Sequence, residues 1–281
     1  MAAIDYEAEY NIRARVPEHP QIFAQWARNA EDYRAETLKR GRAQLALSYG
    51  DTPRQTIDLF LPETGERAPI AIFIHGGYWR SLDPGSFSHM ARGLNGHGVA
   101  VAVVGYDLCP IVTIAEIIEQ IRRACVFLWQ RLGKRIMACG HSAGGHLTAA
   151  MVATDWSALY PKAPSDLVPV GYAISGVFDL TPLLQVSLNQ DLRLDPAEAR
   201  RVSPLFWPLP PGRILDAVVG GLESGEFKRQ SRTVVNAWQD KATTRYEEIA
   251  GAHHYAAIAP LADPQSAMVA RVAELTKQIK T

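Results

Sequence analysis

The sequence predicts an α/β fold: a mostly parallel central sheet of about eight strands with helices on both faces. Two observations carry the prediction. Short, fully apolar runs recur along the chain, and stretches with helical periodicity alternate with them. A strand that is apolar on both sides must be covered on both sides, which is the condition of a parallel sheet. The length of 281 residues buries a substantial core, and no linker divides it, so a single domain spanning 1–281 is expected.

The elements follow in order. Residues 1–44 read as a polar, helical N-terminal extension broken by Pro17 and Pro20, with Ile22, Phe23, Trp26, Ala30 and Tyr33 at helical spacing in the piece Gln21–Arg40. Gln44–Tyr49 and Gln55–Leu61 alternate like paired strands around a turn at Gly50-Asp51-Thr52-Pro53. The apolar runs are Ile70–Ile74, Val99–Val104, Arg135–Cys139, Val170–Ile174, Ile214–Val219 and Thr244–Ile249. Helices are expected at Phe87–His97, at Thr113–Leu132 and from Ala143. The irregular, proline-rich stretch 178–211 reads as a cap-like insertion over the carboxyl ends of the strands, where open α/β sheets bind ligands.

Composition narrows the function classes. Hydrophobic residues make up 47% and charged residues 21%, as in ordinary globular chains. Lys+Arg and Asp+Glu are both 29, so the basic excess of a nucleic-acid binder is missing. No run reaches the ~18–20 apolar residues of a membrane span, and Met1–Tyr10 lacks the pattern of a signal peptide. Cys109, Cys125 and Cys139 are odd in number and far apart, which suits a reducing compartment. The expectation is a cytoplasmic protein with a small-molecule substrate, no nucleic acid or membrane partner, and compatibility with a homodimer.

The sharpest motif is Gly140-His141-Ser142-Ala143-Gly144-Gly145. Strand, G-x-S-x-G turn and helix form the context in which a serine is forced out of a sharp bend to act as a nucleophile. His75-Gly76-Gly77-Tyr78-Trp79 follows an apolar strand and suits an oxyanion hole. The donors expected there are the N–H groups of Gly77, Tyr78 and Ala143, with Gly76 beside them. A serine hydroxyl needs a neighbouring base. Of eight histidines only His253 and His254 follow the last apolar strand, and His254 is chosen. His75 reads as a loop-orienting residue and His146 as packing. The acid belongs in the loop after Ile214–Val219. Glu223 is chosen there over Glu226, a candidate helix-dipole partner, and over Asp216 and Asp240. Tyr78, Trp79, His141, Phe178, Phe206, Trp207 and Tyr255 are candidates for the substrate pocket. No metal or organic cofactor is expected.

Together these residues resemble the α/β-hydrolase superfamily, and more narrowly the kynurenine formamidase (arylformamidase) group and its bacterial esterase relatives. The resemblance also covers Tyr10–Pro17 with Trp26, Leu47–Gly50 leading to Asp58–Pro62, Tyr106–Pro110, and Glu223–Ser231. It implies an α/β-hydrolase fold with a short cap, Ser142, Glu223 and His254 as a catalytic triad, and an oxyanion hole from the H-G-G loop and the residue after the serine. It implies hydrolysis of a small acyl amide, of the N-formylkynurenine type, or in the alternative of small esters. A binding protein that has kept the fold is a third reading. Formamidases usually carry aspartate at the position of Glu223.

Overall fold

A computed structural model describes residues 4–279. Met1–Ala3 of the N-terminal extension, including the start of the Met1–Tyr10 stretch, and residues 280–281 lie outside the described residues. Eight strands form one sheet: β1 (Ala43–Ser48), β2 (Thr56–Phe60), β3 (Ile70–Ile74), β4 (Ala100–Val104), β5 (Ile136–His141), β6 (Val170–Ile174), β7 (Arg213–Gly220) and β8 (Ala242–Ile249). Their spatial order is β1-β2-β4-β3-β5-β6-β7-β8. β1 and β2 pair antiparallel, as does β2 with β4, and the remaining six strands run parallel to one another.

The helices are α1 (Tyr6–Tyr10), α2 (Ile12–Arg15), α3 (His19–Lys39), α4 (Ala91–Gly96), α5 (Ile114–Leu132), α6 (Ala143–Val152), α7 (Trp156–Leu159), α8 (Asn189–Leu192), α9 (Pro196–Arg201), α10 (Gly225–Trp238) and α11 (Ala267–Lys277). β3, β4, β5 and β6 are buried at every position, which matches the apolar sequence of β3, β4 and β6 and of β5 up to Cys139. β8 departs from the expected sixth apolar run. It is the edge of the sheet, its burial alternates, and Arg245 and Glu247 pair with each other on its exposed side. The region Phe87–His97 is a short 3-10 turn at Ser88–Met90 followed by α4, not one continuous helix.

α5 starts on a reciprocal cap between Thr113 and Glu116 and stops at Gly133 in the left-handed conformation. α6 is buried along its whole length and drives directly into the sheet. This contact requires glycine. A Cβ on Gly144 would stand 1.9 Å from the Ile74 carbonyl oxygen, and one on Gly140 2.2 Å from that of Gly144. No helix among the described residues is long and apolar enough to cross a membrane. The three cysteines are buried free thiols.

Candidate active site

The carboxyl ends of β3, β5, β7 and β8 carry the candidate residues to one side of the sheet. At the end of β5, Ser142 has φ 57° and ψ −118°. This is a sparsely populated conformation for a residue with a Cβ, of the kind that costs about 1–3 kcal/mol and persists only where the surroundings impose it. The surroundings here are the Ser142 N–H bonded to the Ile174 carbonyl at 2.8 Å and the Ser142 carbonyl accepting from Gly145 and His146. The bend places Ser142 at the wall of a cavity and at the N-terminus of α6.

His254 lines the same cavity. Its Nδ1 is 2.6 Å from Glu223 Oε2, and both side chains are almost wholly buried. The other oxygen of that carboxylate, Oε1, accepts from Ser175 Oγ at 2.5 Å and from the Gly220 N–H at 2.7 Å. Each Glu223 oxygen therefore has a fixed partner, and His254 presents Nε2 away from the acid. Among the described residues no hydrogen bond joins Ser142 Oγ to His254. Such contacts are often long before substrate binds.

The rival acids are engaged elsewhere. Asp216 sits within β7 and pairs with Arg271 at 2.8 Å. Glu226 binds Arg229 and accepts from the Tyr10 hydroxyl at 2.9 Å. Asp240 is exposed beyond α10. His253 lies on the outer side of the loop, 4.0 Å from Glu18.

The loop after β3 is strained as well. Gly77, Tyr78 and Trp79 all have positive φ, at 111°, 51° and 56°. The N–H groups of Gly77, Tyr78 and Ala143 donate to no partner among the described residues, so all three are free to donate, Ala143 from the N-terminus of α6. Gly76 touches the elbow: a Cβ there would stand 3.0 Å from Ser142 Cβ. His75 supports this loop from beneath. Its ring lies flat between Tyr106, at 4.2 Å, and Phe87, at 5.7 Å, and its Nδ1 is 2.7 Å from the Gly76 carbonyl. Burial lowers its pKa to about 4, so the ring is neutral.

His141 is buried beside His254, with ring centroids 4.6 Å apart. Burial, reinforced by the neighbouring His254, pushes its pKa well below the usual value. The neutral ring donates from Nε2 to the His254 carbonyl at 3.0 Å, which ties the His254 loop to the bend at Ser142. His146 packs edge-on against Trp79 and donates to the Val202 carbonyl.

The cavity wall differs from the sequence expectation. Tyr78, His141 and Tyr255 line it. Trp79, Phe178, Phe206 and Trp207 do not. Trp79 is fully buried against His146, and Phe178 fills the space left by the missing side chain of Gly176. Trp207 binds the Arg201 carbonyl beneath Arg122, and Phe206 lies on the surface under Arg200. The aromatic wall comes instead from Phe23 and Trp26 of α3, with Phe87 and Tyr255. Tyr10, Asn11, Ile12 and Arg13 complete it from the N-terminal segment, and Ser187 and Leu188 from the 178–211 stretch. The apolar spacing of Phe23 and Trp26 marked a buried helix face but not what that face bounds.

Fold and site define an α/β-hydrolase of the esterase and formamidase class. The chain belongs to the kynurenine formamidase family: it is 32% identical to the kynurenine formamidase of Salmo salar over 238 residues, covering 80% of this chain and 79% of that one. The Danio rerio kynurenine formamidase is 29% identical over 225 residues, covering 76% of this chain and 75% of that one. The family model BD-FAE matches residues 57–174. A crystal structure from Silicibacter sp., provisionally described as a thioesterase, superposes with a TM-score of 0.85 at 36% identity, covering 96% of this chain and 99% of that one.

Proposed function

We propose that the protein is a serine hydrolase that removes a small acyl group, formyl foremost, from an aryl amine through an acyl-enzyme. The observation that carries this is Ser142, held in a strained bend on a cavity it shares with His254, whose far nitrogen is bound to Glu223. His254 Nε2 takes the Ser142 proton as Oγ attacks the carbonyl carbon. The N–H groups of Gly77, Tyr78 and Ala143, with Gly76 leaving the approach open, receive the developing oxyanion. Donors of this kind contribute about 3–4 kcal/mol each. The tetrahedral intermediate collapses, His254 returns the proton to the leaving nitrogen, and the amine departs. A water then gives its proton to His254, attacks the acyl carbon, and Ser142 leaves reprotonated. Glu223 holds the ring in the required tautomer and stabilises the imidazolium.

The aryl amine reading draws on the aromatic wall of Phe23, Trp26 and Tyr255 and on the kynurenine formamidase relatives. Hydrolysis of small esters is the second reading, because the same groups serve an alkoxide leaving group equally well. The test compares N-formylkynurenine with p-nitrophenyl acetate, using wild type and Ser142→Ala. Turnover of the formamide that Ser142→Ala abolishes is expected. High kcat/KM on the ester with none on the formamide would leave the esterase reading in its place.

A further inference from the structure

The charge on the cavity wall is one-sided. Its lining includes two arginines, Arg13 and Arg80, and no aspartate or glutamate. Arg80 is neutralised by Asp191. Arg13 makes no hydrogen bond or ion pair among the described residues. It is a cationic residue on a wall that also carries Phe23, Trp26, Tyr78 and Tyr255, and it has no counter-charge among the described residues.

The segment that carries Arg13 is held in place at several points. The Tyr10 hydroxyl donates to the buried Glu226 carboxylate and accepts from Gln230. The Tyr10 carbonyl accepts from the Tyr78 hydroxyl at 2.6 Å, which joins the segment to the loop after β3. Asn11 caps α2 through the Ala14 N–H, and Glu7 takes both the N–H and the hydroxyl of Ser187. Asn11 and Ser187, the polar neighbours on the wall, therefore already have partners. The Arg13 charge also acts on the wall itself, since it opposes the rise that burial imposes on the Tyr255 hydroxyl. Guanidinium presents a planar fork of donors that matches a carboxylate.

We infer that Arg13 is a specificity-determining residue that binds a carboxylate on the substrate, remote from the scissile bond, so that the site favours aryl substrates that carry a carboxylate over those in which it is esterified. The inference rests on the proposed acyl-transfer role of the cavity but not on the choice between amide and ester. A carboxylate paired with Arg13 replaces water on both partners, and a charge-assisted pair of this kind is worth about ten-fold or more in binding. The aromatic rings carry the aryl body, while Arg13 sets which end enters the cavity first.

The experiment uses two matched pairs: N-formylkynurenine against its methyl ester, and 4-acetoxybenzoate against its methyl ester. In each pair the quantity read is the ratio of kcat/KM for the free acid over that for the methyl ester. Comparing this ratio between enzymes cancels intrinsic reactivity. Arg13→Gln is expected to lower it by about ten-fold, chiefly through KM of the acid, Arg13→Glu to lower it further, and Arg13→Lys to restore part of it. Arg13 is exposed, so the variants are expected to keep the wild-type melting temperature. If only the acetoxybenzoate pair is turned over and its ratio falls in Arg13→Gln, the inference stands and the formamide reading is lost. If the ratios of the hydrolysed pairs are the same in wild type, Arg13→Gln and Arg13→Glu, the inference is overturned.

Discussion

Glu223 reaches two places at once: Oε2 meets His254, while Oε1 is clasped by Ser175 and the Gly220 N–H. Aspartate would draw the carboxylate back by about 1.5 Å, the length of one carbon–carbon bond. It could then keep the clasp or reach the imidazole, but not both. Glu223→Asp is therefore expected to lower kcat by about ten-fold with little change in KM. In the proposed mechanism Glu223→Gln removes the charge behind the imidazolium, and it is expected to lower kcat by about three orders of magnitude. Ser175→Ala strips one donor from Oε1 and should also act on kcat, by about ten-fold. Steady-state kinetics on one substrate separate these cases. Near-wild-type kcat in Glu223→Gln alongside collapse in Asp216→Asn or Asp240→Asn would show that the acid lies elsewhere.

Among the elements, legibility follows how local each constraint is. β3, β4 and β6 are read from sequence because burial on both faces admits only apolar residues. The elbow is legible because the strand, bend and start of α6 are contiguous and its glycines are imposed by contact. The cavity wall is not legible. The periodicity of α3 shows that Phe23 and Trp26 are inward, but their neighbours Tyr255 and Phe87 lie far away along the chain, and only the folded sheet brings them together. For the same reason Trp79, within the loop motif, and Phe178, at the start of the 178–211 stretch, face the core instead of the cavity. The α6 contact gives a direct test. Gly144→Ala places a methyl group against the Ile74 carbonyl oxygen, and neither backbone can yield without shifting β3 or the elbow. Overpacking of this kind costs about 1–3 kcal/mol, so the melting temperature is expected to fall by about 2–12 °C, at the ~2–4 °C per kcal/mol usual for chains of this size. An unchanged melting temperature would mean that the helix can lift from the sheet at no cost.

For the whole molecule, formal charge balances at zero, so overall charge repulsion is small near neutral pH. Acid sensitivity then rests on the histidines that the interior holds neutral. His75, His89 and His146 are buried, and burial lowers each from the usual 6.5 to about 4. His141 is pushed down further in the same direction. The sign follows from proton counting. Above pH 6.5 neither the folded nor the unfolded chain protonates these rings, and their contribution is constant. Between 6.5 and about 4 the unfolded chain takes up protons that the folded chain refuses, so stability falls with pH, by up to about 1.4 kcal/mol per pH unit for each ring. The molecule is therefore expected to lose melting temperature steeply from pH 6.5 downward, above the range in which most carboxylates titrate. Replacing His146 with Gln removes one titrating ring while keeping a donor for the Val202 carbonyl. Melting curves recorded from pH 8 to 4.5 should show a shallower acid slope for this variant than for wild type. A wild-type profile that stays flat down to pH 5 would mean that the rings gain their protons in the folded state, and that the packing around His75 and His141 opens to admit water.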